Sequence, residues 1–316
     1  MISAFKRQDN WTLIGLFVTL LLMIALFSWQ TEFFFSTRNF INIGQAISIR
    51  GLIAIGLTVV MIAGGLDLSM AAVAAVAGMV TASLITLEVN SVLVGVFGIA
   101  AAGVLGAFNA LLVVKFRINP IIATLGTLLF YRGLAFVSTG GDNIVVGVNA
   151  WSELGRGSWL GAPITVWLFL AVVVMGMCFM RFTVAGNHLY AIGGNSEACR
   201  NVGIRVDRLR GWTYVAQACL AGLAGLMLTS QSGTALPSAL NGAELDIIAA
   251  VLLGGIALSG GRGGLLGTLL GLLIIGVVQN GLIHLNVQIY WQSVVRGAIL
   301  IIAVTLDSLR RGGGYR

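Results

Sequence analysis

Apolar runs separated by short polar connections recur along the whole chain, and a helix needs about 20 residues to cross roughly 30 Å of hydrocarbon. On that ruler the sequence predicts ten spans, near 11–30, 47–63, 69–86, 92–114, 121–138, 163–180, 212–231, 246–260, 264–283 and 291–306. The second, third and eighth run into glycine-rich breaks, which predicts bent or partly re-entrant segments. The expected fold is an all-α integral membrane protein. It is a polytopic helical bundle of about ten transmembrane helices, some broken or re-entrant, forming a single domain over 1–316.

One long polar segment interrupts the pattern. Residues 181–211 contain YAIGGNSEACRNVGI (190–204) and the five arginines Arg181, Arg200, Arg205, Arg208 and Arg210. A basic connection between spans is expected on the cytoplasmic side, where a segment this polar would suit an intracellular partner.

Composition supports lipid as the solvent. Hydrophobic residues make up 58% of the 316 residues and charged residues 9%, against about 25% charged in soluble domains, and the mean hydropathy is +0.99. The 43 glycines lie largely inside apolar runs, where small residues let helix backbones approach closely. The net charge of +7 does not indicate nucleic-acid binding, because the bases mostly flank apolar spans and do not cluster on a folded polar face. Only Lys6 and Lys115 are lysines, and neither follows the glycine pattern of a P-loop. No nucleotide site and no cofactor are expected. Cys178, Cys199 and Cys219 lack disulfide or zinc spacing and read as small packing residues.

The bases also set an orientation. With ten spans and the N-terminus inside, Lys6, Arg7, Lys115, Arg117, the five arginines of 181–211, Arg262, Arg310, Arg311 and Arg316 all fall on the cytoplasmic side. Arg38 and Arg156 fall outside, while Arg50, Arg132 and Arg296 fall within or at the ends of spans. Both termini are therefore expected in the cytoplasm. Lys6 and Arg7 precede an apolar run too long for a secretory signal, and Ser28-Trp29-Gln30 offers no small-residue cleavage site, so the first span is expected to remain as an anchor.

Several polar residues inside this map are candidates for function. Arg132, in LFYRGLAF, is the deepest charge, either lining or gating a pathway or serving a structural ion pair. Asp67, in GGLDLS, lies in a glycine-broken connection, where it can serve a pathway or simply cap the next helix. The run 254–259 (GGIALS) echoes 64–69 (GGLDLS), a pattern compatible with a transporter repeat. Asn109, Thr124, Gln217, Gln279 and Asn280 can contact a polyhydroxylated solute or bond between helices. His188 and His284 map near opposite faces and give no metal or catalytic pair.

Four stretches carry a family resemblance: NFINIGQAISIRGLIAIGLTVVMIAGGLDLSM (39–70), GAFNALLVVKFRINPIIATLGTLLFYRGLA (106–135), GNHLYAIGGNSEACRNVGI (186–204), and ELDIIAAVLLGGIALSGGRGGLLGTLLG (244–271) with QNGL (279–282). In this order and spacing they resemble the permease subunits of ribose-, xylose-, arabinose- and galactose-type ATP-binding-cassette importers of bacterial inner membranes. The departures are small-residue or turn positions: Met70-Ala71 for Val-Gly, Ala110 for Gly, Asn119 for the first of a Pro pair, and Cys199 for Ala.

The resemblance implies a non-enzymatic permease that moves a monosaccharide, a pentose such as ribose first, by alternating access. It implies a tandem-domain ATPase on the cytoplasmic side, a periplasmic sugar-binding protein outside, and a second permease copy or related permease alongside. Within 181–211, Glu197, Ala198 and Gly203 match the family's coupling pattern and would enter a groove on the ATPase. Asp67, Asn109, Arg132 and Asn280 are the residues expected at the pathway or its gate. An ion-gradient-driven transporter of a small polar solute is the alternative; it requires an ion-coordinating cluster at mid-membrane.

Overall fold

The computed structural model describes residues 10–148 and 151–310, with the backbone alone for 306–310. Lys6, Arg7, Arg311 and Arg316, which entered the sidedness argument, lie outside the described residues, as does the Arg310 side chain. The described residues form thirteen helices: α1 (Asn10–Gln30), α2 (Thr37–Ile62), α3 (Met70–Thr86), α4 (Ser91–Ala110), α5 (Pro120–Val137), α6 (Ser152–Arg156), α7 (Ile164–Phe182), α8 (Val184–Gly194), α9 (Ser196–Asn201), α10 (Val206–Ser232), α11 (Ala243–Leu253), α12 (Leu265–His284) and α13 (Ile289–Arg310). A π-helical turn, Leu111–Lys115, continues α4. The short strands β1 (Ile144–Val145) and β4 (Thr234–Ala235) pair antiparallel with Ile144 opposite Ala235, and β2 (Ser158–Trp159) pairs with β3 (Ala162–Pro163).

Seven of these segments are long and apolar enough to cross a membrane: α1, α2, α4 with its π turn, α5, α7, α10 and α12. The protein is thus a multi-pass helical membrane protein. α3 and the Ile289–Thr305 part of α13 are shorter apolar stretches. Three sequence expectations change in detail. α2 begins at Thr37, ten residues before the predicted span; its first turns mix Thr, Arg, Asn and Gln with apolar residues and so escape an apolar-run count. The span expected over 246–260 is a helix of 11 residues, closed at Gly254–Gly255 where Gly255 takes φ +86°. The polar segment 181–211 is mostly helical, as the end of α7, α8, α9 and the start of α10.

Side-chain caps explain several helix starts by satisfying free backbone N–H groups. Asn90 Oδ1 accepts from Val92 N at 2.9 Å and Asn119 Oδ1 accepts from Ile121 N at 2.9 Å, the latter with Pro120 at the first helical position. Thr183 and Asn195 cap α8 and α9 in the same way.

α10 is the hub, packed against α2, α3 and α4; α1 packs on α12, α5 on α3, α7 on α2, and α11 on α2, α12 and α13. Small residues make this possible. A Cβ on Gly225 would strike the Ala74 backbone, and one on Gly106 would strike Ala218 and the Tyr214 carbonyl. Side chains there would force the helices apart.

The connections gather at two ends. At one, Gly261 N donates to Ile62 O at 2.9 Å and Arg210 Nε to Ala63 O at 3.1 Å, joining the ends of α2 and the start of α10 to the 254–264 turn. At the other, β1 meets β4, and Asn39 meets Asn280 and His284.

Candidate functional site: a charged constriction between two cavities

The region that best suits a polar solute lies between α2, α3, α10, α11, α12 and α13. One cavity, of about 350 Å³, is lined by Arg50, Thr229, Ser238, Asn241, Asp246 and Arg296 over a floor of Ala74, Ala75, Gly78 and Gly225. A second, of about 160 Å³, is lined by Asn42, Asp246, Gln279 and Asn280 among apolar residues of α2 and α12. Arg50 and Asp246 line both.

The local sequence places these groups. After α10 ends at Gly233 (φ +71°), the chain turns through Leu240 (φ +56°) and Gly242 (φ +81°), so α11 starts late and remains short. Asp246 therefore sits in the first turn of α11, where the helix dipole favours a carboxylate. It is 6% exposed. Its Oδ2 accepts from Gln279 Nε2 at 2.9 Å and lies 3.6 Å from Arg296 NH1. Arg50 NH1 donates to Gln279 Oε1, so one amide links the guanidinium of α2 to the carboxylate of α11. Charges inside hydrocarbon cost about 2.5–3.5 kcal/mol each on insertion scales, and here two cations and one anion share a small network. A carboxylate that accepts and guanidinium groups that donate form a suitable lining for a hydroxyl-rich solute.

Sequence reasoning missed this constriction. Arg50 and Arg296 were visible only as charges at spans, Gln279 only as a polar residue in an apolar run, and Asp246 gave no separate signal.

The expected pathway residues divide into different settings. Asp67 and Asn109 come together in a closed network: Ser69 N and Oγ donate to Asp67 Oδ1 at 2.8 and 2.7 Å, and Asn109 Nδ2 lies 2.8 Å from Ser69 Oγ and 3.3 Å from Asp67 Oδ2. The Tyr131 hydroxyl lies 3.0 Å from Asn109 Oδ1 and 2.8 Å from Leu105 O. All four residues are buried, and they fasten the α2–α3 connection to α4 and α5. Neither Asp67 nor Asn109 borders the two cavities. Arg132 NH1 donates to Pro237 O at 2.9 Å and Ala239 O at 2.8 Å; it holds the turn that walls the larger cavity. Asn280 borders the smaller cavity and exchanges hydrogen bonds of 2.9 Å with Asn39, whose Oδ1 also lies 3.0 Å from His284 Nε2. Thr124 and Gln217 are buried, and both Gln217 amide atoms lack a hydrogen bond.

At the other candidate surface, α9 carries Glu197 and Ala198 outward, with Gly203 (φ +82°) in the turn after it. Gly203 N donates to Arg200 O and Ile204 N to Cys199 O, both at 3.0 Å, closing that turn. Cys199 points inward, packed with Ile192 and Val206. Its substitution for Ala thus changes the support of the protrusion and leaves its exposed face as it was.

A multi-pass helical bundle with polar-lined cavities between its apolar helices is an architecture used by membrane solute permeases. The family described as "Branched-chain amino acid transport system / permease component" matches residues 39–304, and the chain belongs to that family. It is 36% identical to the ribose import permease protein RbsC of Escherichia coli K12 over 298 residues, 93% of either chain. It is 41% identical to RbsC of Bacillus subtilis 168 over 297 residues, 93% of this chain and 92% of the relative. To the L-arabinose ABC transporter permease protein AraH of Azospirillum brasilense it is 36% identical over 312 residues, 98% and 92% of the two chains. No solved structure matches the chain. The chain is accordingly a permease component of a transport system.

Proposed function

We propose that the chain is the membrane-spanning subunit of an ATP-binding-cassette importer that carries a monosaccharide, with a pentose such as ribose as the first candidate. The observation that carries this reading is full-length similarity to ribose and arabinose permeases combined with a polar constriction between two internal cavities. The gradient-driven alternative is not favoured by these relatives.

The chain works as one transmembrane permease domain over 1–316, in the bacterial inner membrane, with ten crossings and both termini in the cytoplasm. α3, α13 and a broken segment made of α11 with the glycine turn that follows it supply the three crossings beyond the seven long segments. Arg50, Gln279, Asp246 and Arg296 contact sugar hydroxyls in transit; Arg132 and Asn280 shape the cavity walls, and the Asp67–Asn109 network holds the neighbouring helices rigid. The segment 181–211 is the coupling element, with Glu197, Ala198 and Gly203 entering a groove on a tandem-domain ATPase. A second permease, identical or related, completes the assembly, and a periplasmic sugar-binding protein delivers the solute.

The permease contributes mechanics. Only a difference in ATP affinity between the partner's arrangements can bias the helices between outward and inward openings. The test is ATP hydrolysis in proteoliposomes holding the permease and its ATPase, with binding protein outside and a panel of sugars. Stimulation that requires both the binding protein and one sugar class is expected; a flat response from a verified assembly refutes the reading.

A further inference from the structure

A third cavity lies outside this pathway, at the end of the bundle where α4 and α10 meet. It is a groove of about 650 Å³ between the final turns of α4, with its π extension, and the first turns of α10. Its two halves differ in chemistry. Ala107, Ala110, Leu111, Val114 and Val215 line it with apolar surface, whereas Lys115, Arg117 and Arg208 crowd its end. Exposed Trp212 also lines the groove. The one acid lining it, Asp207, is already paired with Arg200, while Lys115, Arg117 and Arg208 form no ion pair among the described residues.

The backbone is specialised at the same place. Phe116 N donates to Leu111 O at 3.0 Å, the i to i+5 spacing of the π turn, and Arg117 takes a left-handed φ of +56°. π turns are rare and gather at functional positions. Here the extra residue carries Lys115 and Arg117 past the end of α4. The facing wall has Gly211, where an added Cβ would meet only Ala110 at 3.8 Å, so the groove stays open between the helices.

The geometry points to a binding site for an anionic phospholipid, its phosphate held by Lys115, Arg117 and Arg208 and an acyl chain lying along the apolar wall. A soluble anion would use the cations and leave the apolar half in water. A zwitterionic lipid would use the wall but place its own cation among three others. Tryptophan is enriched at the level of lipid headgroups, and basic pockets between membrane helices are suited to anionic headgroups. The site rests on the membrane embedding of α4 and α10, takes Arg208 from the end of the 181–211 segment, and is independent of the transported solute.

The experiment uses the full-length permease in mild non-ionic detergent, with native mass spectrometry after addition of phosphatidylglycerol or phosphatidylcholine of identical acyl chains. Preferential retention of phosphatidylglycerol is expected. Lys115→Gln, Arg117→Gln and Arg208→Gln should each weaken it about fivefold, since a basic residue near an anionic surface is worth about 1 kcal/mol. The Arg117→Lys/Arg208→Lys pair should retain the preference, as should Arg262→Gln, a basic change elsewhere. In the unmodified protein, a photoreactive phosphatidylglycerol should crosslink to peptides spanning 107–118 and 207–215, a measurement that no folding defect can confuse. Equal retention of both lipids, a preference unchanged by the three neutralisations, or displacement of phosphatidylglycerol by millimolar inorganic phosphate would overturn the assignment. Crosslinks confined to other peptides would do the same.

Discussion

Gly193, near the end of α8, packs directly onto Ile62, the last residue of α2, and a Cβ built on Gly193 would collide with the Ile62 carbonyl oxygen. The same atom would strike the Gly261 amide, and a Cβ on Gly260 would lie 2.8 Å from the Gly64 Cα. Three segments thus touch through glycine backbone: the helix preceding the α9 protrusion, the end of α2, and the 254–264 turn. Gly64, Gly260 and Gly261 also take positive φ, which glycine adopts without steric cost. The two similar runs 64–69 and 254–259 therefore approach one another next to the coupling segment. A displacement of α8 has a short mechanical route to α2, the helix that carries Arg50. We predict that Gly193→Ala forces these backbones apart and reduces sugar-stimulated ATP hydrolysis at least tenfold while the chain still inserts. Stimulation equal to the unmodified protein would show that the contact transmits nothing.

Among the described residues, Asp246 is the acid that meets both Arg296 and the Gln279 amide that holds Arg50. Removing it leaves two guanidinium groups without their anion; Arg296 is half-buried, so solvent screening keeps the loss below the about 3–5 kcal/mol of a fully buried pair. Asp246→Asn keeps the shape and removes the charge. Uptake should fall at least tenfold, and Arg296→Gln in the same chain should recover part of the lost thermal stability by removing one stranded cation. Uptake unaffected by Asp246→Asn, measured in right-side-out vesicles, would take the constriction out of the pathway.

The sequence made helix positions easier to read than their partnerships. The apolar run 121–138 matches α5 (Pro120–Val137) to within one residue at each end, directly after the Asn119 cap. The start of α2 was hidden because residues 37–46 read as polar, although Asn39 is buried and bonded to Asn280. The break after Leu253 was foreshadowed by Gly254–Gly255, while the shortness of α11 reflects the left-handed turn at 240–242. At the site, Gln279 and Asn280 stood out as polar residues in apolar sequence. Their direction did not: Gln279 joins residues 229 and 33 positions away, and no local period encodes helix rotation. Asp67 and Asn109 were each visible too, yet their enclosure with Ser69 and Tyr131 is a tertiary fact.

That enclosure yields a stability prediction. Every contact of Asp67 in the network is an acceptance from Ser69 or Asn109. Asp67→Asn presents an amide donor where donors already point, and an unsatisfied buried group costs about 1–3 kcal/mol. The midpoint of thermal unfolding in detergent should fall, and Asn109→Asp in the same chain should restore part of it by exchanging acceptor and donor. Strictly additive losses in this double-mutant cycle would mean the two side chains do not interact.

Glu197 provides the most direct separation of folding from coupling. It is exposed on α9, whose fold depends on the Asn195 cap and on buried Cys199 rather than on the Glu197 carboxylate. Glu197→Lys reverses a charge in the first turn of that helix, where an acid is favoured by a few tenths of a kcal/mol up to about 1 kcal/mol, so local stability should change little. If the exposed face enters an ATPase groove, the reversed charge should abolish transport-coupled hydrolysis while expression, insertion and thermal stability stay near those of the unmodified chain. Cys199→Ala, which alters only the buried side, should keep coupling. Normal stimulation with Glu197→Lys would remove this residue from the interface, and loss of coupling with Cys199→Ala alone would place the sensitive contact inside the segment instead of on its surface.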